Sequence, residues 1–238
     1  MNYKDLFIAF SLLFYLNSSA QEINWLTESE EKEGWELLFN GKNLEGWKIF
    51  NGGEVSGWKV IEGVLNNSGK GSDHGGDIIT TEQYQDFELI LEWNISPLSN
   101  SGIFIHVQES IVDAIYKSGP EYQLCDDEGM DKVRKRNKNQ HTASSYAMYE
   151  AEGAELMPLG EWNESRIVVN GKNVEHWLNG KKVVEFELWS EEWKKRKERS
   201  KWKDEKYYGI SKKGHIGLQD HGSFIWFRNI KIKPLQSR

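Results

Sequence analysis

The sequence predicts an all-β protein of the sandwich or jelly-roll type, with one short helix inserted between strands. The chain has 238 residues and contains 11 Trp, 9 Tyr, 10 Phe and 22 Gly but only 4 Pro, a composition typical of strands joined by tight turns. Asn-Gly pairs separate strand-like runs, and apolar and polar residues alternate through several short segments. Many short strands separated by turn signals favour two packed sheets.

The strongest turn signals lie in the stretch RIVVNGKNVEHWLNGKKVVEFEL, residues 166–188. Asn170-Gly171 and Asn179-Gly180 each separate two strand-like runs, and an Asn-Gly pair favours a type I′ turn with positive φ at both residues. The stretch therefore predicts a three-stranded meander. Two earlier turns are predicted at Asn40-Gly41 and Glu62-Gly63.

The segment FELILEWNI, residues 87–95, predicts a strand with one buried face, because its apolar residues alternate with mostly polar ones. The members expected on the buried face are Phe87, Leu89, Leu91 and Trp93. Further strands are predicted at 101–107, 121–125, 146–149 and 215–219.

One helix is predicted over residues 190–202, SEEWKKRKERSKW. Ser190 is a candidate N-cap, two glutamates follow it, and basic residues crowd the end, which is the charge order that a helix dipole favours. Trp189 and Trp193 are four residues apart, so we expect them to anchor one face of this helix to the sandwich. A second charged stretch, MDKVRKRNKNQH at 130–141, is predicted to be a surface loop.

The first twenty residues are typical of a secretory signal peptide. Lys4 precedes an apolar run at 6–16, and small residues precede a cleavage site after Ala20. The run is too short to span a bilayer as a helix. We therefore expect a secreted or periplasmic protein without membrane insertion after processing, with an N-terminal segment at 21–33 and one sandwich domain at 34–238.

Charge and cysteine content exclude other classes of protein. The net charge is −7, which argues against nucleic acid as a partner. The one cysteine, Cys125, cannot form an intramolecular disulfide, so it is expected to be a small core residue. No dense metal-ligand motif is present, and no cofactor is predicted.

Polar residues share faces on three of the predicted strands. Glu121 and Gln123 alternate with apolar neighbours, His106 shares a face with Gly102 and Phe104, and Gln219 lies on the face of His221. If these strands adjoin, the side chains form one polar patch suited to a sugar. The patch would contain Glu121, Gln123, His106, Gln219, His221 and Arg228. The alternative is an ordinary half-solvated antiparallel sheet.

Several segments of the chain match a known family in order. They include GWELLFNGKNLEGW (34–47), NSGIFIHV (100–107), GPEYQLCD (119–126) and KKGHIGLQDHGSFIWFRNIKIK (212–233). They run through nearly all of residues 34–233, and their order and spacing together make the match specific. In these segments the chain resembles the 3-keto-disaccharide hydrolase family. The resemblance implies a concanavalin-like β-sandwich, a secreted protein and a sugar substrate already oxidised to a ketone at C3.

The resemblance also implies which residues form the site. The residues that it carries over are Glu121, Gln123, Gln219, Asp220, His221, Arg228 and Tyr149. Glu121 and His221 are predicted to transfer protons, and Gln123, Gln219, Asp220, Arg228, Tyr149 and His106 are predicted to bind substrate. His106 stands where many members of the family have Arg, which would alter substrate choice or activity.

The chemistry of such a substrate favours elimination followed by hydration. A C3 ketone acidifies the C2 proton, so a base, an acid for the leaving oxygen and a group that offsets enolate charge are needed. Arg228 or His106 is predicted to offset that charge, and a metal ion is the alternative. Two alternatives stay open, a non-catalytic carbohydrate-binding module and an ordinary glycosidase with two carboxylates. The sequence indicates neither the particular sugar nor the oligomeric state.

Overall fold

The fold is a concanavalin-like jelly-roll sandwich of two antiparallel sheets. The computed structural model describes residues 23–55, 57–68 and 76–236. The strands are β1 Glu36–Leu37, β2 Trp47–Ile49, β3 Trp58–Ile61, β4 Val64–Ser68, β5 Ile78–Thr80, β6 Phe87–Ile95, β7 Asn100–Val107, β8 Glu121–Cys125, β9 Asn163–Asn170, β10 Asn173–Leu178, β11 Lys181–Glu187, β12 His215–Leu218 and β13 Phe224–Pro234. The eight-stranded sheet has the order β11-β10-β9-β6-β13-β4-β3, with β1 also paired to β13, and the five-stranded sheet has the order β2-β5-β12-β7-β8.

The predicted meander is confirmed, and its two turns differ. Asn179 and Gly180 have φ values of 48° and 79°, as a type I′ turn requires. Asn170 instead remains the last residue of β9 and pairs with Asn173, so Gly171 and Lys172 form the other turn, with positive φ at Gly171 alone. That pattern is typical of a type II′ turn, in which glycine takes the first central position.

The main core lies between the two sheets. β6 alternates buried and half-buried residues along its whole length, which confirms the predicted inward face. The facing strands β7, β8 and β12 contribute Ile103, Tyr122 and Ile216 to the same cluster. The second, smaller cluster lies on the outer side of the five-stranded sheet and contains Phe50, Ile79, Phe104, Val107 and Ile115. The polar side chains on the outer face of this sheet therefore lie on the same side as a small apolar cluster.

The predicted helix forms as α3, Glu191–Arg199, with Ser190 as its N-cap. The Ser190 side chain accepts a hydrogen bond from the Trp193 amide at 3.1 Å. Trp193 lies within this helix and its side chain is buried. Trp189 precedes the helix and donates its indole N–H to the Gly209 carbonyl. Both tryptophans thus hold the segment against the sandwich, although only Trp193 belongs to the helix.

Two further α-helices form among the described residues, α1 at Glu28–Lys32 and α2 at Asp127–Val133. α2 begins before residue 130 and occupies the start of the stretch predicted to be a loop, because Asp126 caps it by accepting the Gly129 amide hydrogen bond at 3.0 Å. In the described part of the chain, no helix has the length and apolar character to cross a membrane. The predicted signal peptide, residues 1–20, lies outside the described residues.

Candidate functional site

Four of the predicted site residues lie in one cleft on the outer face of the five-stranded sheet. Glu121, Gln123, Gln219 and His221 line this cleft, which has a volume of about 220 Å3. They converge because β12, β7 and β8 are neighbours in the sheet. We call this space the polar cleft.

The middle strand of this group leaves room for the carboxyl group of Glu121. Gly102 on β7 pairs with Gln123, and its carbonyl accepts the Gln219 amide hydrogen bond at 3.0 Å. A Cβ atom at Gly102 would lie 2.5 Å from Glu121 Oε1, closer than van der Waals contact allows. The close approach of the Glu121 carboxyl group therefore favours glycine at this position.

One wall of the polar cleft is formed by Trp202, Lys201 and Tyr146, which were not predicted as site residues from the sequence. Trp202 follows α3 and donates its indole N–H to the Tyr146 carbonyl at 3.0 Å. The ammonium group of Lys201 lies 4.5 Å from the Trp202 ring centroid and 4.9 Å from that of Tyr146, which is within the range of cation–π attraction. The remaining lining residues are Tyr116 and Asn100. The sequence signal for Lys201 was weak, because one lysine in a basic run resembles its neighbours.

Burial controls the ionisation of Glu121, whose exposed fraction is 5%. Removal from water raises the pKa of Glu121 to about 8, the positive charge of Lys201 lowers it, and the carboxyl group of Asp77 raises it further. A carboxyl group with such a pKa holds its proton at neutral pH. The polar cleft therefore presents a proton donor beside the cation of Lys201 and the exposed imidazole of His221.

Asp220 lies outside the polar cleft, although the resemblance implies that it binds substrate. Its side chain is fully buried, and a Cβ atom on Gly76 would lie 2.1 Å from its Oδ2. Asp220 Oδ1 accepts the Gly222 amide hydrogen bond at 3.0 Å, and the Asp220 amide donates to Asp77 Oδ1 at 2.9 Å. Burial raises the pKa of Asp77 to about 7. The hydrogen bond from the Asp220 amide acts to lower this pKa, and the negative charge of Asp220 acts to raise it. Asp220 thus shapes the turn that carries His221.

His106 also lies away from the polar cleft, because a β-bulge changes the side to which it points. The pairing of β7 with β12 shifts register between Phe104 and Val107, and His106 has a φ of 53°. Its ring packs edge-on against Phe87 in the main core, with 6.0 Å between ring centroids, and its Nε2 lies 2.8 Å from the Gln85 carbonyl oxygen. Burial lowers the pKa of His106. The prediction from strand alternation fails here because the bulge breaks the two-residue period.

Tyr149 lies beside a different groove. The predicted strand at 146–149 is wrong, since a bridge joins Ser145 to Tyr149 in a tight turn. The Tyr149 ring stacks on Phe186 with 4.7 Å between centroids, and the Arg196 guanidinium covers it at 4.4 Å. Tyr149 therefore lies outside the polar cleft, although the resemblance implies that it binds substrate.

Arg228 is separated from the polar cleft by the whole sandwich. It belongs to β13 in the eight-stranded sheet, and its neighbour Phe227 faces the core, so Arg228 faces outward. Its Nε donates to Glu92 Oε2 at 2.7 Å, and its guanidinium lies 4.1 Å from the Trp162 ring centroid. Arg228 therefore lies outside the polar cleft, and the predicted convergence of its side chain with Glu121 does not occur.

The structure offers no group of three or more His, Cys, Asp or Glu residues that could hold a metal ion in the ranges it describes. Cys125 is buried, as expected, and burial raises the pKa of its thiol to about 12. This makes it a poor nucleophile. The ionisable groups that line the polar cleft are Glu121, His221, Lys201 and the two tyrosines, Tyr116 and Tyr146.

Comparison with known proteins identifies the family. The model of the 3-keto-alpha-glucoside-1,2-lyase-like domain matches residues 34–233. A Bacteroides thetaiotaomicron protein named 3-keto-disaccharide hydrolase is 34% identical, over 91% of this chain and 83% of its own length. A solved structure from Parabacteroides distasonis, described as a candidate glycosyl hydrolase, is 42% identical with a TM-score of 0.82, covering 90% of this chain and 100% of that one.

A more distant likeness concerns the fold alone. The exoplasmic/lumenal domain of VIP36 superposes with a TM-score of 0.51 at 8% identity, covering 87% of this chain and 90% of that one. The family match spans nearly the whole sandwich and includes every strand that borders the polar cleft. The chain therefore belongs to the family of 3-keto-alpha-glucoside-1,2-lyase-like domains.

Proposed function

We propose that the protein cleaves the glycosidic bond of 3-keto-glycosides by elimination followed by hydration, in the polar cleft. The observation that supports this most strongly is the buried carboxyl group of Glu121, whose pKa burial raises to about 8, in a cleft shared with His221 and Lys201. Perturbed ionisable groups in a cleft are characteristic of catalytic sites. The names of the relatives support a glycoside-cleaving enzyme.

In the first step, His221 removes the C2 proton and the C–H electron pair forms an enolate with the C3 ketone. Imidazole is suited to accept a proton near neutral pH. The enolate electrons then return to form a C1=C2 double bond, the C1–O bond breaks, and Glu121 donates its proton to the leaving oxygen. Addition of water, with hydroxyl to C1 and a proton to C2, completes a net hydrolysis.

Lys201 replaces Arg228 as the group that offsets enolate charge. Its ammonium group lines the polar cleft and contacts the faces of Tyr146 and Trp202, which restrict its position. A fixed positive charge near the developing oxyanion lowers the barrier without reorganisation of solvent. Gln123 and Gln219 are suited to hydrogen-bond sugar hydroxyls, and Gln123 is already oriented by donation to Asn100 Oδ1 at 2.8 Å.

The two alternative functions have less support. A glycosidase with two carboxylates requires a second carboxyl group near the scissile bond, and Glu121 is the one acidic residue that lines the polar cleft among those described. A non-catalytic module has no need for a proton donor held at a pKa of about 8. An enzyme with a single acid and an imidazole base fits the polar cleft better.

The decisive experiment compares a 3-keto-glucoside with its unoxidised parent. The wild-type protein should release aglycone from the ketone alone, pass through an unsaturated sugar, and exchange C2 deuterium with water. Glu121→Gln should lose about 10²-fold in rate or more, whereas the exposed Glu150→Gln should not. Equal release from the unoxidised parent would support the ordinary glycosidase, and binding without release would support the module.

We also propose export through the predicted signal peptide. A sugar-cleaving enzyme outside the cytoplasm would meet glycosides before uptake. The exported protein should begin at Gln21 by intact mass. A cytoplasmic protein that retains its first twenty residues would contradict export without affecting the proposed reaction.

A further inference from the structure

A groove crosses the outer face of the eight-stranded sheet, on the side of the sandwich opposite the polar cleft. Its volume is about 610 Å3, within the range of ligand-binding sites. Trp226 on β13 pairs with Asn66 on β4 and with Asn94 on β6, so the three side chains form one row across its floor. Trp162 forms part of its wall. We call this space the outer groove.

Contacts with Arg228 and with the Trp162 loop restrict the position of the Trp162 ring. The Arg228 guanidinium stacks on its ring at 4.1 Å and is itself fixed by a hydrogen bond to Glu92 of 2.7 Å. The loop that carries Trp162 is tied to the sheet, because Asn94 Nδ2 donates to the Gly160 carbonyl at 2.7 Å. A ring that is already immobile loses little conformational entropy when a ligand binds.

The lining of the outer groove matches an uncharged ligand with apolar faces and many hydroxyl groups. Two indole rings offer stacking surfaces, and the Asn66 side-chain oxygen and the Ser96 hydroxyl offer hydrogen bonds, whereas the Asn94 amide is used within the protein. The chain has a net charge of −7, yet Glu62 is the one charged residue that lines this groove in the part of the chain described. Neither an anionic nor a strongly cationic partner is complementary to such a lining.

We infer that the outer groove is a second, non-catalytic carbohydrate-binding site that takes an uncharged oligosaccharide or polysaccharide chain. Pyranose rings would stack on Trp162 and Trp226, and Asn66 would bond their hydroxyl groups. Because the polar cleft lies on the opposite sheet, both sites can be occupied at once. Arg228 is then a positioning residue for Trp162, which explains why a residue matching the family motif lies far from Glu121.

Affinity electrophoresis through gels that contain soluble uncharged polysaccharides tests this inference. The probes are an α-glucan, a β-glucan and a galactomannan. At least one should retard the wild-type protein, and Trp162→Ala or Trp226→Ala should reduce the apparent affinity about tenfold or more. Trp162→Phe should restore part of the retardation, and Arg228→Met should weaken it while leaving Trp162 in the chain. Melting curves of each variant separate loss of binding from loss of fold.

Two further measurements distinguish this site from the proposed reaction and from another occupant. Glu121→Gln should be retarded like the wild type, and Trp162→Ala should cleave a small soluble 3-keto-glucoside at the wild-type rate. The inference is overturned if no polysaccharide retards the wild type, or if folded Trp162→Ala and Trp226→Ala are retarded equally. A concentration-dependent dimer that Trp226→Ala abolishes, without polysaccharide binding, would also overturn it by assigning the groove to a second copy of the chain.

Discussion

Glu121 and Lys201 enter the polar cleft from different parts of the fold, Glu121 from β8 in the five-stranded sheet and Lys201 from the segment after α3. The charge of Lys201 opposes the effect of burial on the pKa of Glu121, which nevertheless reaches about 8. A cation and a neutral acid thus coexist in one small space at neutral pH. An elimination needs this pair, one group to hold negative charge and one to give a proton.

The raised pKa of Glu121 predicts how stability depends on pH. A carboxyl group whose pKa rises from 4.5 to about 8 on folding binds its proton more tightly in the folded state, so its contribution to stability is lost as pH rises between those values. Glu121→Gln should therefore have a flatter profile of unfolding free energy between pH 5 and 8 than the wild type, measured by urea denaturation. The difference between the two profiles reports Glu121 together with its electrostatic interaction with Asp77. Parallel profiles would show that Glu121 is ionised in the folded protein.

Replacement of Lys201 should change both the rate and its pH dependence. Lys201→Met removes the charge that lowers the pKa of Glu121, so the alkaline limb of the rate profile should move to higher pH. Loss of the cation near the enolate should also reduce kcat about 10²-fold, while Lys201→Arg should retain more activity. Lys203→Met, which changes an exposed lysine two residues away, is the matched control. If the rate of Lys201→Met depended on pH as that of the wild type does, at the same magnitude, Lys201 would have no role in the reaction.

Replacement of His106 should affect stability rather than catalysis. Its ring is buried against Phe87 and its Nε2 contacts the Gln85 carbonyl, so His106→Ala should lower the unfolding free energy by about 2–3 kcal/mol. The kcat on a 3-keto-glucoside should stay near that of the wild type at a temperature where the variant is folded. A large loss of kcat with an unchanged melting temperature would show that His106 takes part in the reaction.

Replacement of Trp193 should weaken the packing of Trp202, which lines the polar cleft. Trp193 stacks between Phe186 at 5.4 Å and Tyr208 at 5.9 Å, and Tyr208 stacks on Trp202 at 4.6 Å. Trp193→Ala should cost about 3–5 kcal/mol of stability and raise KM, because Trp202 loses its packing. Trp189→Phe, which removes mainly the hydrogen bond to Gly209, should cost only about 1 kcal/mol. Equal costs would contradict a continuous stack.

The sequence by itself determined the strands and the sides to which most of their residues point. The alternation in β6 and the Asn-Gly turns depend on neighbouring residues alone, so they can be read without knowledge of the fold. The same local period placed Glu121 and Gln123 on one face of β8, and the structure keeps them together. Even here the turn at Gly171 differs by one residue from the prediction, because the pairing of Asn170 with Asn173 fixes its position.

Only the tertiary structure decided which of these faces meet. Arg228 was predicted beside Glu121, but the assignment of β13 to the other sheet depends on pairing with β6 and β4, more than a hundred residues away in sequence. The bulge that turns His106 into the core arises from its register with β12, and the position of Lys201 depends on the stacking of Trp202 with Tyr208. Local periodicity sets the direction of a side chain relative to its own strand, whereas contacts between distant segments decide what that side chain faces.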